Sequence, residues 1–221
     1  MKKLAPTFIP VLLVLTISMF CYSCQKEVPK RPFKLESKTW YRIAPATPAP
    51  ITVDGNEWVS FAYFPGSGSG NATHMGSITH FFNQLAYGTS PAGPPAGSVA
   101  APVVDVPQYP VLGGPLPLIQ GGDFDELATL AATLQIPASV GGHVVNEVIT
   151  NRKGDALFLA AIGGGATFPL SETIIGFNGK ALIVGGSGRF THATGEVDYD
   201  GYFNVTNASD AAYNAAGWIS Y

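Results

Sequence analysis

From Glu196 to Thr206 apolar and polar residues alternate: Val197, Tyr199, Phe203 and Val205 fall on one side, Glu196, Asp198, Asp200, Asn204 and Thr206 on the other. Successive side chains of a strand leave opposite faces, so this pattern predicts a strand with one dry and one wet side. Runs rich in aromatic and β-branched residues predict further strands at 40–43, 57–64, 73–87, 143–150, 156–162, 173–177, 181–184 and 217–221. Asp54-Gly55, Gly154-Asp155, Asn178-Gly179 and Gly185-Gly186 supply turn dipeptides, and Gly66-Ser67-Gly68-Ser69-Gly70 reads as a flexible break. Counted from Trp40, about ten such segments have the spacing of an antiparallel barrel. The expected class is all-β.

Two stretches depart from this rhythm. Residues 88–122 carry eight prolines, which cannot donate to a sheet ladder, yet only one charge, Asp105. A long loop of apolar composition is expected there, serving as a lid over the barrel mouth, as a docking surface for a protein partner, or as an insertion packed flat on the wall. Residues 123–135 predict one short amphipathic helix. Asp123 and Glu126 have capping-box spacing, Phe124, Leu127, Leu130, Ala131 and Leu134 line one face, and Pro137 follows the end. Together 88–135 form a Pro-rich loop plus helix inserted in a single domain, 40–221.

The N-terminus changes the picture from fold to address. Lys2 and Lys3 precede an apolar run, Phe8 to Phe20, that is shorter than the ~20 residues a spanning helix needs. It ends in Ser23-Cys24, the small-residue-then-cysteine layout of a bacterial lipoprotein signal; bulky Phe20 precedes Cys21. The expectation is that residues 1–23 are removed and that Cys24 carries the lipid. The mature chain then has no free thiol, which excludes a disulfide, a cysteine nucleophile and a thiolate metal site. Cys24-Gln25-Lys26-Glu27 resembles surface-export signals of Bacteroidetes-type lipoproteins, and no Asp follows Cys24. An outer-membrane location in a Gram-negative cell, periplasmic or surface-exposed, is therefore expected.

Charge follows the same division. In 24–39, Lys26, Lys30, Arg31, Lys34 and Lys38 face only Glu27 and Glu36, and this segment reads as a basic flexible tether, either hugging anionic lipid or simply solvated. From Trp40 onward five cations oppose thirteen carboxylates. Such an acidic domain, without a basic patch interleaved with aromatics, argues against nucleic acid.

The run Ile183-Val184-Gly185-Gly186-Ser187-Gly188-Arg189-Phe190-Thr191-His192-Ala193-Thr194-Gly195 resembles the GGTGRF and A-x-G turn motif of the allene oxide cyclase and dirigent-like barrels, including bacterial secreted relatives without an assigned activity. Thr73-His74-Met75-Gly76 is similar to a T-H-L-G element of that bacterial branch, and Lys153 to Phe158 to its N-G-D-x-L-F turn and strand. The resemblance implies a closed or nearly closed eight-stranded barrel whose interior can hold an apolar small molecule. It assigns Gly185, Gly186, Gly188, Arg189, Phe190 and Gly195 to a structural turn and carries no activity with it.

Candidate chemistry is sparse. His74, His80, His143 and His192 include no H-E-x-x-H and no close pair, so no metal or other cofactor is expected. Ser187 sits in Gly-Gly-Ser-Gly, but Arg189 takes the place of the second glycine of a nucleophile elbow. Asp198 and Asp200 share a strand face, which bare alternation explains. His74, Glu147, Asp155 and His192 remain as polar groups available to a pocket. Two functional classes follow: a lipid-anchored module that binds an apolar small molecule or a protein partner, which is favoured because no nucleophile, base and orienting group can be assembled, and a barrel enzyme of cyclase or isomerase type.

Overall fold

The inward-facing residues of one strand show how the sequence builds the wall. Along Arg31–Tyr41 (β1) every second side chain, Phe33, Leu35, Ser37, Thr39 and Tyr41, is buried, while Lys34, Glu36 and Lys38 face water. The computed structural model describes residues 28–42, 44–45, 47–53, 56–88, 110–113, 132–162 and 165–221. The remaining strands are β2 (Ala44–Pro45), β3 (Pro50–Val53), β4 (Asn56–Ala72), β5 (Gly76–Gly88), β6 (Pro110–Gly113), β7 (Ser139–Val140), β8 (His143–Val144), β9 (Glu147–Asn151), β10 (Ala156–Ala161), β11 (Gly165–Pro169), β12 (Ile174–Ser187), β13 (Thr194–Asn204) and β14 (Asn207–Ser220).

Eight of them close an antiparallel barrel in the order β12, β13, β14, β1, β4, β5, β9, β10 and back to β12. Closure removes free sheet edges, and the interior is filled by side chains. At one end of the barrel the wall changes partners: β5 pairs with β9 over Ile78–Phe82 and with β6 over Gln84–Ala86, while β12 pairs with β10 and then β11. Asn83 and Asn146 join the halves at this step. The Asn83 amide donates to the Asn146 carbonyl at 2.8 Å, and Asn146 Oδ1 accepts from the Ala161 amide at 2.7 Å.

Four expectations are corrected. The basic tether expected over 24–39 becomes a central barrel strand from Arg31 onward; its charges are the wet half of an alternation whose dry half includes the small polar residues Ser37 and Thr39. The Gly66–Gly70 break lies inside β4, because glycine there lets large neighbours in: a Cβ on Gly66 would occupy the Phe82 ring. Asn178-Gly179 does not turn either. It sits within β12, where the Tyr199 hydroxyl fills the place of a Gly179 side chain. Gly185-Gly186 also belongs to β12, and the chain reverses one step later, in the 3-10 turn Gly188–Phe190.

A second apolar cluster lies outside the barrel. Trp40, Ser67, Phe81, Val148 and Phe158 are register neighbours across five strands, and Leu134, Ile136 and Val140 pack on this face. Of the predicted helix, residues 132–134 are helical and Gln135 is a turn residue with φ of 49°; residues 123–131, the Asp54-Gly55 turn, Cys24 and most of the Pro-rich loop lie outside the described residues. Where the insertion is described, β6 extends the sheet and Leu134 packs against the outer face, joined there by Ile136 just beyond it.

Candidate functional site

The interior divides into three layers, each set by strand register. One end is an apolar plug of Phe33, Leu35, Met75, Ile78, Leu157, Ile183, Phe190, Val197 and Ile219. The Gly-Arg-Phe turn closes it: Phe190 is fully buried and meets Tyr221 edge-on at 4.8 Å between centroids. Gly188 has φ of 61°, the left-handed region that favours glycine, and a Cβ there would meet Asp155 Oδ1. Asp155 Oδ2 lies 3.4 Å from Arg189 Nε and accepts from Asn151 Nδ2 at 3.2 Å, while Asn151 Oδ1 accepts from the Asp155 amide.

Asp155, His74 and His192 thus belong to the outside of this plugged end. His74 sits in the β4–β5 turn with φ of 68° and its Nε2 is 3.0 Å from the Pro32 carbonyl. His192 is exposed beside Thr194, Trp218 and Tyr221. Ser187 Oγ donates to the Gly154 carbonyl at 3.3 Å. Asp198 is exposed on the outer face and pairs with Lys180 at 3.0 Å. A concavity of about 670 Å³ over that face is open to solvent, and ion pairs of this kind contribute little.

Glu147 is the predicted polar residue that lies inside. It is 1% exposed at the start of β9, opposite Phe82 and Leu159 in register. The Tyr213 hydroxyl donates to its Oε1 at 2.7 Å, and His80, 0% exposed, brings Nε2 to 3.5 Å from Oε2. Among the described residues neither ring nitrogen of His80 nor Oε2 of Glu147 has a hydrogen-bond partner. The imidazole lies edge-on to Tyr213 at 4.7 Å and 5.3 Å from Phe82, and Tyr213 stacks on Tyr199 at 5.5 Å. Burial pushes the phenols of Tyr213 and Tyr199 well above the usual tyrosine range, with the nearby Glu147 charge adding to the shift, so both stay protonated.

Above this polar layer the barrel opens into an aromatic cup. Tyr41, Phe64, Phe82, Phe177 and Phe203 converge there, with Thr39, Gln84, Thr167, Tyr202 and Ala211 around them. Tyr41 and Phe203 meet edge-on at 5.1 Å, Phe64 and Phe203 lie 6.0 Å apart, and Phe177 stacks on Phe203 at 6.4 Å. The free space between the rings is about 20 Å³, room for about one water-sized body. Among the described residues the cup is thus nearly filled by its own rings.

His80, Tyr213 and the cup aromatics were missed from sequence. The signal was the period of two in Ile78-x-His80-x-Phe82, which puts an imidazole in the middle of an apolar face. No cluster of His, Cys, Asp and Glu suited to a metal ion occurs among the described residues. Comparison with protein-family models, with curated proteins and with solved structures finds no match to this chain.

Proposed function

We propose that this chain is an exported lipoprotein, anchored through Cys24 in the outer membrane of a Gram-negative cell, whose allene oxide cyclase-like and dirigent-like barrel binds an apolar small molecule at its aromatic cup. The observation that carries the reading is the convergence of five aromatic rings, from five different strands, at one barrel end. Two of them, Phe64 and Phe203, are only partly buried, and a ligand larger than the free space enters by turning these aside.

Orientation supports the anchor. Strand β1 starts at the plugged end and reaches the cup at Thr39 and Tyr41. Ser220 donates to the Val28 carbonyl at 2.9 Å, which ties the incoming chain to that end. Four residues reach at most about 14 Å, so a lipid on Cys24 holds the plugged end near the membrane and turns the cup away from it. Arg31 and Lys30 lie at this end, against Tyr221 and Trp218.

The test is titration of the full-length protein with the neutral dye N-phenyl-1-naphthylamine, followed by its fluorescence. Saturable binding that weakens several-fold in Phe64→Ala and Phe203→Ala is expected. Absence of saturable binding, or binding indifferent to both substitutions, would overturn the reading. The cyclase or isomerase alternative draws on one observation, the His80–Glu147 pair beneath the cup. It requires bound ligand to be converted, and recovery of unchanged ligand after prolonged incubation argues against it.

A further inference from the structure

We infer that the preferred ligand of the cup is an organic cation, an apolar body carrying a compact primary ammonium head, with Glu147 supplying the opposing charge. This deepens the binding reading above and rests on it.

The first support is the cost of what lies beneath the rings. A buried carboxylate oxygen and a buried imidazole without hydrogen bonds are expensive relative to apolar residues of similar size. Tyr213 satisfies Oε1 of Glu147, but among the described residues Oε2 has only the long 3.5 Å approach of His80 Nε2. The phenols of Tyr213 and Tyr199 stay neutral, and among the described residues no lysine or arginine forms an ion pair with Glu147. The layer therefore keeps an uncompensated acceptor beneath Phe82, next to the lining of the cup.

The second support is the wall chemistry. Aromatic faces carry negative quadrupole potential and attract ammonium groups within about 6 Å of the ring centroid. Tyr41, Phe64, Phe177 and Phe203 are spaced 5.1–6.4 Å from their ring neighbours, so a head between them lies within that range of several faces at once. The space of about 20 Å³ between the rings is the size of a compact head, while the apolar body displaces the rim rings. Phe82 links the two layers: it lines the cup, stands opposite Glu147 in register and packs on His80. The excess of carboxylates beyond Trp40 favours approach of cations.

Calorimetric titration of the full-length protein with phenethylammonium, its neutral isostere propylbenzene and the anion 3-phenylpropanoate tests the inference. Phenethylammonium is expected to bind at least ten-fold more tightly than propylbenzene, and 3-phenylpropanoate not at all. Glu147→Gln keeps an acceptor for Tyr213 and should bring the cation-to-neutral ratio within two-fold. Should that variant fail to fold, Phe203→Leu at the partly buried rim keeps apolar area but removes a quadrupole, and should weaken phenethylammonium several-fold while leaving propylbenzene nearly unchanged. Equal binding of cation and neutral isostere would overturn the inference and leave the apolar cup standing. Binding of neither would overturn both readings. A cation preference unchanged in Glu147→Gln and in Phe203→Leu would overturn the assigned roles of these residues and with them the inference.

Discussion

Tyr213 and Glu147 meet across the barrel interior through a 2.7 Å hydrogen bond in which the phenol donates to Oε1, 66 positions apart in the chain. Both side chains are buried, so the bond carries the cost of leaving a carboxylate unsatisfied if it is broken. Tyr213→Phe is expected to lower stability by about 1.5–3 kcal/mol in urea unfolding. A loss below about 0.5 kcal/mol would show that another group already satisfies Glu147.

His80 is a different case, because its ring nitrogens make no hydrogen bond among the described residues. Its one polar approach is the 3.5 Å contact with Glu147 Oε2, and an apolar side chain there leaves that buried oxygen alone. His80→Leu should therefore lower the thermal midpoint by several degrees. A midpoint held or raised would mean that the pair does not stabilise the fold.

Alkaline pH should unfold this barrel through two phenols. Tyr199 and Tyr213 have folded-state pKa values raised by burial and by Glu147 above the ordinary 10.0. A raised folded pKa means that the stability is fully present below pH 10 and is lost as pH rises beyond it, at about 1.4 kcal/mol per pH unit for each tyrosine. Tyr199→Phe should make the decline above pH 10 shallower by about one such increment. An unchanged slope would contradict the assignment.

The glycines of the Gly-Arg-Phe turn should resist substitution for two separate reasons. Gly188 has positive φ, and Gly188→Val is expected to cost about 2 kcal/mol or more. Gly186 has no such φ, but a Cβ there would run into the carbonyl oxygens of Ala156 and Phe190. Gly186→Ala should accordingly be destabilising as well. Wild-type thermal midpoints in both variants would refute this account of the turn.

Anchoring is testable independently of binding. Cys24→Ala should abolish incorporation of labelled fatty acid and leave an uncleaved precursor, whereas Cys21→Ala should change neither. Labelling of Cys24→Ala at the wild-type level would overturn the lipoprotein assignment.

Much of the barrel was legible in the sequence where alternation is plain, as in Val197, Tyr199 and Phe203 of β13. Strand β1 was not, because Ser37 and Thr39 occupy inward positions and the lysines between them read as a tether. The glycines of β4 and β12 resemble turn signals locally, and only the rings they admit, Phe82 and Tyr199, show why they lie in strands. The site was less legible still. Glu147 stood out by charge, but its partners His80 and Tyr213 come from β5 and β14, and a meeting fixed by barrel closure leaves no short motif.

The central claim, that an apolar ligand binds at the aromatic cup, is tested most directly by aromatic chemical-shift changes in phenylalanine-labelled full-length protein on addition of N-phenyl-1-naphthylamine. Shifts at Phe64, Phe177 and Phe203, with Phe33 and Phe190 of the plug unmoved, are the predicted result. Shifts confined to Phe81 and Phe158 on the outer wall, or no shifts at saturating dye, would contradict it.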